Sequence, residues 1–258
     1  MNTTSYIKEV MSGVIEIALE RDHKVLGNGT GFLVEGGLIT NSHVIRPKGD
    51  IDAFKLRFPE GGNEIRLLPD DFYAMVASED PENSKDYAYI QIDEPELTDR
   101  HRFELGSINE VDLGHDLLFL GYPFGMPQLT VHRGFVSSIY QKNGINIIQI
   151  DGSVNGGNSG GPLIDLISKN VVGVVTRARK GFVEQEFDNL IQILAKNQEI
   201  LSNSKAVMRV GGVDPIDGLR ASMAAMQQIA QNLKRSANVG IGYAFAIDPV
   251  KETMHGVV

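Results

Sequence analysis

The sequence predicts an all-β core interrupted by a helical insertion. Three observations predict it. Apolar residues recur with period two in many short runs, the pattern of half-buried strands. Glycine is abundant, at 28 of 258 residues, which suits a chain with many tight turns. One stretch, about 180–238, breaks that pattern and carries two apolar stripes at helical spacing. A chain of this length buries a large core and has room for two β subdomains.

The elements follow in order. Val14 to Leu19 alternates and reads as the first strand. Gly29 to Val34, a Gly36-Gly37 turn and Leu38 to Thr40 read as two strands, the second delivering His43 at its end. Phe54 to Phe58 and Glu64 to Leu68 read as further strands. Ser78 to Ser84 is a polar loop, and Asp86 stands just before the alternating run Tyr87 to Ile92. Leu117 to Leu120, Ile145 to Ile150 and Val171 to Val175 supply strands in the second half. In the insertion, Phe187, Leu190, Ile191, Leu194 and Leu201 share a helical face. Acidic Glu184 and Glu186 lie near its start, where the helix dipole favours them. A second helix opens at Asp214-Pro215, a good cap followed by proline at the first helical position. Its seam of Leu219, Met223, Met226, Ala230 and Leu233 is of the kind that packs on another helix.

Function is written most densely in Gly156-Gly157-Asn158-Ser159-Gly160-Gly161-Pro162-Leu163. Glycines around a serine let the backbone turn sharply and leave the hydroxyl open to approach. The N–H groups of Gly157 and Ser159, with Asn158 between them, can then converge where an oxyanion forms during acyl transfer. A serine hydroxyl needs a base beside it and a carboxylate orienting that base. His43 and Asp86 are the candidates, and their order along the chain is His, Asp, Ser.

These segments resemble the trypsin-like (chymotrypsin-fold) serine peptidases, most closely the HtrA/Deg group. The stretch Gly29 to Ile45 is similar to the one that carries the catalytic histidine, which implies His43. Asp86 to Ile90 resembles the aspartate segment, and Gly-Asn-Ser-Gly-Gly-Pro-Leu the nucleophile segment, which implies Asp86 and Ser159. Gly121 to Gly125 and Thr130 to Ser137 resemble strands opening the second barrel, and Gly240 to Ile247 a late strand beside the specificity pocket. The resemblance covers roughly residues 10–178 and 239–250. It implies two antiparallel six-stranded β-barrels, residues 1–115 carrying His43 and Asp86, and 116–258 carrying Ser159. The helical insertion at about 180–238 stands where such relatives have a short loop. It further implies Ser153 and Val154 at the base of the specificity pocket, with Ala244 and Phe245 walling it. No acidic residue stands at that base, so small or medium apolar side chains are expected before the cut bond. With the sequence read to Val258, no peptide-binding PDZ module is expected after the second barrel.

The expected function is therefore that of a serine endopeptidase acting on proteins or peptides. The insertion is expected either to be a helical hairpin that simply buries its own seams on the barrel, or to serve as a lid or a docking element for a regulatory partner. The competing readings are a peptidase-fold binding module without turnover, and a latent effector that a partner must activate. No metal or cofactor is expected: no His, Cys, Asp or Glu cluster has ligand spacing, and the glycine runs lack a phosphate-loop lysine. A net charge of −9 with no offsetting basic cluster argues against nucleic acid. No run approaches the roughly 18 apolar residues of a membrane span. The absence of cysteine, and a start without a basic region followed by an apolar one, lead to the expectation of a cytoplasmic protein.

Overall fold

The computed structural model describes residues 3–82, 84–176, 182–203, 215–236 and 240–255. In chain order the first half contains α1 (Thr3–Val10), β1 (Val14–Arg21), β2 (Lys24–Val34), β3 (Gly37–Thr40), α2 (Ser42–Ile45), β4 (Ala53–Arg57), β5 (Ile65–Leu67), α3 (Pro69–Ala74), β6 (Val76–Asp80) and β7 (Tyr87–Ile90). The second half contains β8 (Asp116–Gly121), β9 (Thr130–Lys142), β10 (Ile145–Asp151), β11 (Pro162–Asp165), β12 (Val171–Thr176), α4 (Phe182–Asn203), α5 (Pro215–Ser236), β13 (Ile241–Ala246) and α6 (Asp248–His255).

Two sheets result. Strands β10-β13-β12-β11-β8-β9 close into a six-stranded antiparallel barrel. The first half forms a curled seven-stranded sheet in the order β5-β4-β1-β2-β3-β7-β6. The expected pair of six-stranded barrels is thus corrected: the first has a seventh strand and is not closed. Pro69 starts α3 soon after the three-residue β5, so the chain leaves the sheet as a helix instead of continuing along it. Its return strand, β6, pairs with β7 alone.

Turn chemistry fixes the registers. Asp22 and His23 join β1 to β2 with φ values of 51° and 58°, and Asn143-Gly144 joins β9 to β10 with 53° and 76°. Both are two-residue loops with positive φ at each residue, the geometry that matches strand twist. In register, Ile15 and Ile17 of β1 point into the first core with Leu33, Leu38, Phe54 and Phe72. Val14 points to the other face. There it joins Phe32, Ile39, Tyr89, Leu120, Tyr122 and Val174 in a core that packs the two sheets together. The barrel has its own core, built on Leu117, Phe119, Ile148, Ile150, Leu163 and Val175. Helix α6 is tied down through Asp248, whose carboxylate accepts from the Ser107 hydroxyl at 2.6 Å and the Ile108 N–H at 3.0 Å.

The chain divides into two compact units, residues 1–178 with 240–258, and Arg179–Val239. In the second unit α4 packs on α5. Arg220 clasps the pair by donating to the Leu201 carbonyl at 2.7 Å. Leu194 and Ala230 are buried. The rest of the expected α5 seam is more open: Leu219, Met226 and Leu233 are 46%, 57% and 52% exposed. The small Ala230 is the seam residue that closes fully. The cap expected at Asp214 and the side chains of Glu184 and Glu186 lie outside the described residues.

Candidate active site

Strand β3 ends at Thr40, and the chain turns into the one-turn helix α2, which carries His43. Asp86 opens β7, the neighbour of β3, so sheet pairing brings the two together. The His43 Nδ1 stands 2.7 Å from Asp86 Oδ2, and the His43 main-chain N–H donates to Oδ1 at 3.1 Å. Both oxygens of the carboxylate therefore serve the histidine. Thr176, at the end of β12 in the other sheet, donates its hydroxyl to Oδ2 at 3.2 Å. Asp86 has a left-handed backbone, φ 51°, which aspartate tolerates better than most residues. That conformation is held by Asn41 Nδ2, which donates to the Asp86 carbonyl at 2.7 Å. Among the described residues, both hydrogen bonds made by His43 go to Asp86, and none engages Nε2.

Ser159 lies on the turn before β11 and is 5% exposed. The turn is anchored carbonyl by carbonyl. The Asn155 carbonyl accepts from the Asn158 N–H at 3.0 Å, and that of Gly156 from the Phe124 N–H at 2.7 Å. The Gly157 carbonyl accepts from the Thr30 hydroxyl at 2.7 Å. That of Asn158 accepts from the Gly161 N–H at 3.1 Å, and that of Ser159 from the Thr30 N–H at 2.8 Å. A peptide's N–H points away from its carbonyl. With the Gly156 oxygen turned to Phe124, the Gly157 N–H faces the opposite way. Among the described residues, nothing accepts from the N–H of Gly157 or of Ser159. Gly157 has φ 101°, a value open to glycine and costly for any other residue.

Close approach at Gly160 completes the arrangement. Its N–H donates to the Val175 carbonyl at 2.8 Å, next to the Thr176 that reaches Asp86. A Cβ there would overlap the Thr30 carbonyl and the Thr40 hydroxyl, and stand 3.0 Å from the Asn41 nitrogen. The serine turn is thus packed on the strand end that leads into His43. Gly160 also has φ 87°. Gly160→Ala is expected to cost more than about 3 kcal/mol, read as a lowered denaturation midpoint, because backbone strain and overlap add. A midpoint equal to wild type would contradict this packing.

A groove of about 720 Å³ beside His43 is lined by Ser42, His43, Arg46, Glu79, Pro81 and Glu82. On its wall Glu79 accepts from the Ser42 hydroxyl at 2.7 Å and from Arg46. The Arg46 guanidinium, with Ser42 helping, holds the Glu79 carboxyl below the usual carboxylate range. Of the residues expected at the specificity pocket, Ser153 is exposed. Val154 and Ala244 pack in the barrel core. Phe245 packs with Ile145 and Ile147.

Three side chains at this site carry no sequence signal. Thr176 lies 90 residues from Asp86. Asn41 passes for a helix cap, but its amide bonds Asp86 instead. Thr30 was legible only as a residue between two glycines, yet it holds two carbonyls of the serine turn's surroundings through both its N–H and its hydroxyl.

The profile of the trypsin-like peptidase domain matches residues 29–174, more than half of the chain. The chain belongs to the trypsin-like peptidase family. Curated relatives of this trypsin-like domain include proteases named HTRA2, Do-like and DegP-like. Serine protease HTRA2, mitochondrial, from Bos taurus is 32% identical over 161 residues, which is 58% of this chain and 31% of the relative. Protease Do-like 5, chloroplastic, from Arabidopsis thaliana is 31% identical over 184 residues, 63% of this chain and 52% of the relative. A probable periplasmic serine endoprotease DegP-like from Pseudomonas fluorescens is 32% identical over 159 residues, 60% of this chain and 30% of the relative. The chain spans between about a third and a half of these relatives' lengths. Among solved structures, the HtrA-type protease AlgW with tripeptide gives a TM-score of 0.55 at 24% identity, covering 70% of this chain and 56% of the other. The serine endoprotease from Yersinia pestis gives 0.53 at 24%, covering 69% and 58%. These two structures establish the chymotrypsin-like fold.

Proposed function

We propose that this chain hydrolyses peptide bonds in proteins or peptides, with Ser159 as nucleophile, His43 as base and Asp86 as the group that orients the base. Ser159 Oγ attacks the scissile carbonyl carbon while His43 Nε2 takes its proton. The oxygen of the tetrahedral intermediate is received by the N–H groups of Gly157 and Ser159, with Asn158 shaping the turn between them. Collapse breaks the C–N bond, and His43 returns the proton to the leaving amine. Water then repeats the sequence on the acyl-enzyme. The observation that supports this reading most is the serine turn, whose carbonyls from Asn155 to Ser159 are all bonded elsewhere. A turn so anchored has its N–H groups ready for a developing negative charge and needs little reorganisation. Covalent labelling of the wild-type chain by a fluorophosphonate probe tests the proposal. A folded chain that resists the probe would support a binding module without turnover, or a latent enzyme, in its place.

The proposed specificity is for Val, Ala, Leu or similar residues before the cut bond, since Ser153 brings no carboxylate to that site. Burying an unpaired ammonium or guanidinium costs several kcal/mol. A peptide library should therefore give cleavage after small or medium apolar residues. Dominant cleavage after Lys or Arg would overturn this.

We further propose that the α4–α5 hairpin governs access of substrate, or binds a regulatory partner. The support is its place in the chain, entered from β12, whose Thr176 reaches Asp86, and left into β13. Leu219 and Met226 are about half exposed, so charging them should disturb folding little. Leu219→Asp with Met226→Asp is expected to leave the melting temperature within about 2 °C while changing turnover severalfold. Unchanged turnover per folded molecule would sink the gating idea.

A further inference from the structure

We infer that His132 is a positioning residue for the serine turn: its neutral ring fixes the orientation of the Asn158 side chain, and protonating it turns that side chain over. The inference rests on the reading of Ser159 as nucleophile. Asn158 is fully buried and lies between the two residues whose N–H groups are proposed to hold the oxyanion. Its main chain is bonded on both sides, to Asn155 and to Gly161. Its side chain has one polar partner among the described residues: Nδ2 stands 3.4 Å from His132 Nε2. An amide nitrogen carries only donors, so Nε2 is the acceptor and the ring is neutral with its proton on Nδ1.

The ring is held to receive that bond. His132 stacks on Phe119 with centroids 4.7 Å apart and planes 9° apart, an arrangement set by the pairing of Phe119 with His132 across β8 and β9. Burial holds its basicity below the usual histidine range, and no charge contributes. Among the described residues, the ring stacks on Phe119 from β8 and bonds Asn158 from the serine turn, neither ionisable. The charged side chains nearest on those strands turn outward. Arg133 pairs with Asp116 at 2.9 Å in the open, and Asp151 of β10 is exposed.

The other end of the amide makes the site two-state. Asn158 Oδ1 is buried without a hydrogen bond and faces the backbone of Gly121, where a Cβ would come within 2.8 Å of it. With His132 protonated, Nε2–H meets Nδ2–H donor to donor. The repulsion ends only if the amide rotates to offer Oδ1 to the imidazolium, a charge-assisted bond that also satisfies the orphan oxygen. In the rotated state the NH₂ takes the place beside Gly121, where the approach is already close. The serine turn is then held by a turned-over amide, whose NH₂ is left unpaired beside Gly121 in place of the arrangement it has at neutral pH.

The test uses fluorophosphonate labelling of the full chain, which reports the reactivity of the nucleophile without a known substrate. His132→Phe keeps the stack but cannot accept the amide. It should lower the maximal labelling rate about tenfold, the worth of one hydrogen bond to a buried group, with probe affinity and melting temperature near wild type. His132→Gln restores an acceptor that does not titrate and should recover the rate to within about threefold. In wild type the acid limb of log rate against pH should carry an added step of about tenfold, and so a steeper slope, where His132 takes its proton. In His132→Gln that step should vanish, with folding at each pH followed by circular dichroism. A His132→Phe chain that labels at the wild-type rate overturns the inference, as does a slope that His132→Gln leaves unchanged. Labelling that persists in Ser159→Ala overturns the nucleophile assignment, and this inference with it. Loss of labelling in Ser159→Ala alongside wild-type behaviour of both His132 variants overturns the inference alone.

Discussion

Ser159→Ala is expected to abolish fluorophosphonate labelling and to lower peptidase turnover by about four to six orders of magnitude. The same change should leave the melting temperature nearly untouched. The turn is held through its carbonyl oxygens and through the close seat of Gly160, and alanine keeps all of these. The Ser159 hydroxyl is bonded to none of the described residues, so its removal strands no partner. Mass spectrometry of the probe adduct and a casein-cleavage assay read the effect directly. An alanine variant that cleaves at the wild-type rate would remove Ser159 from the reaction.

Asp86→Asn is expected to cost about 10⁴ in turnover without unfolding the chain. The size follows from how the carboxylate is shared. Oδ1 accepts from the His43 main-chain N–H, so an amide at this position must present its oxygen there. Its NH₂ is then forced against His43 Nδ1, where Oδ2 now sits at 2.7 Å. A donor at that place selects the tautomer with the proton on Nε2, and Nε2 can no longer take one from serine. The imidazolium that forms during reaction also loses its counter-charge. Retention of more than a tenth of wild-type turnover would contradict this role for Asp86.

The parts of the fold legible in the sequence are those that local pattern determines. Val14 to Leu19 lies within β1, Glu64 to Leu68 brackets β5, and Ile145 to Ile150 lies within β10. In each, a short apolar-rich run marks the strand, and in β1 both faces are buried. The strand β6 escaped because Ser78, Glu79 and Asp80 are polar, and the pattern there reads as loop. Their strand state comes from pairing with β7, a tertiary effect. Helices α1 and α6 were not anticipated. Each is eight residues long and is fixed by contacts distant in sequence, Tyr6 with Lys169 and Tyr87 with Thr253. The candidate site divides the same way. Residues that perform chemistry stand in recognisable glycine-rich or strand-end contexts. Residues that position them, such as Thr30, Thr176 and His132, are ordinary strand residues until the sheets are assembled.

Thr30 has a consequence for how the protein comes into being. Its N–H, hydroxyl and carbonyl bind Ser159, Gly157 and Thr40 at once, so the serine turn takes shape only against a finished first sheet. During synthesis His43 and Asp86 emerge first, and Ser159 follows 73 residues after Asp86. On the roles proposed for these residues, a nascent chain holds the base before its nucleophile, and then the nucleophile on a turn whose partner Thr30 lies in the first sheet.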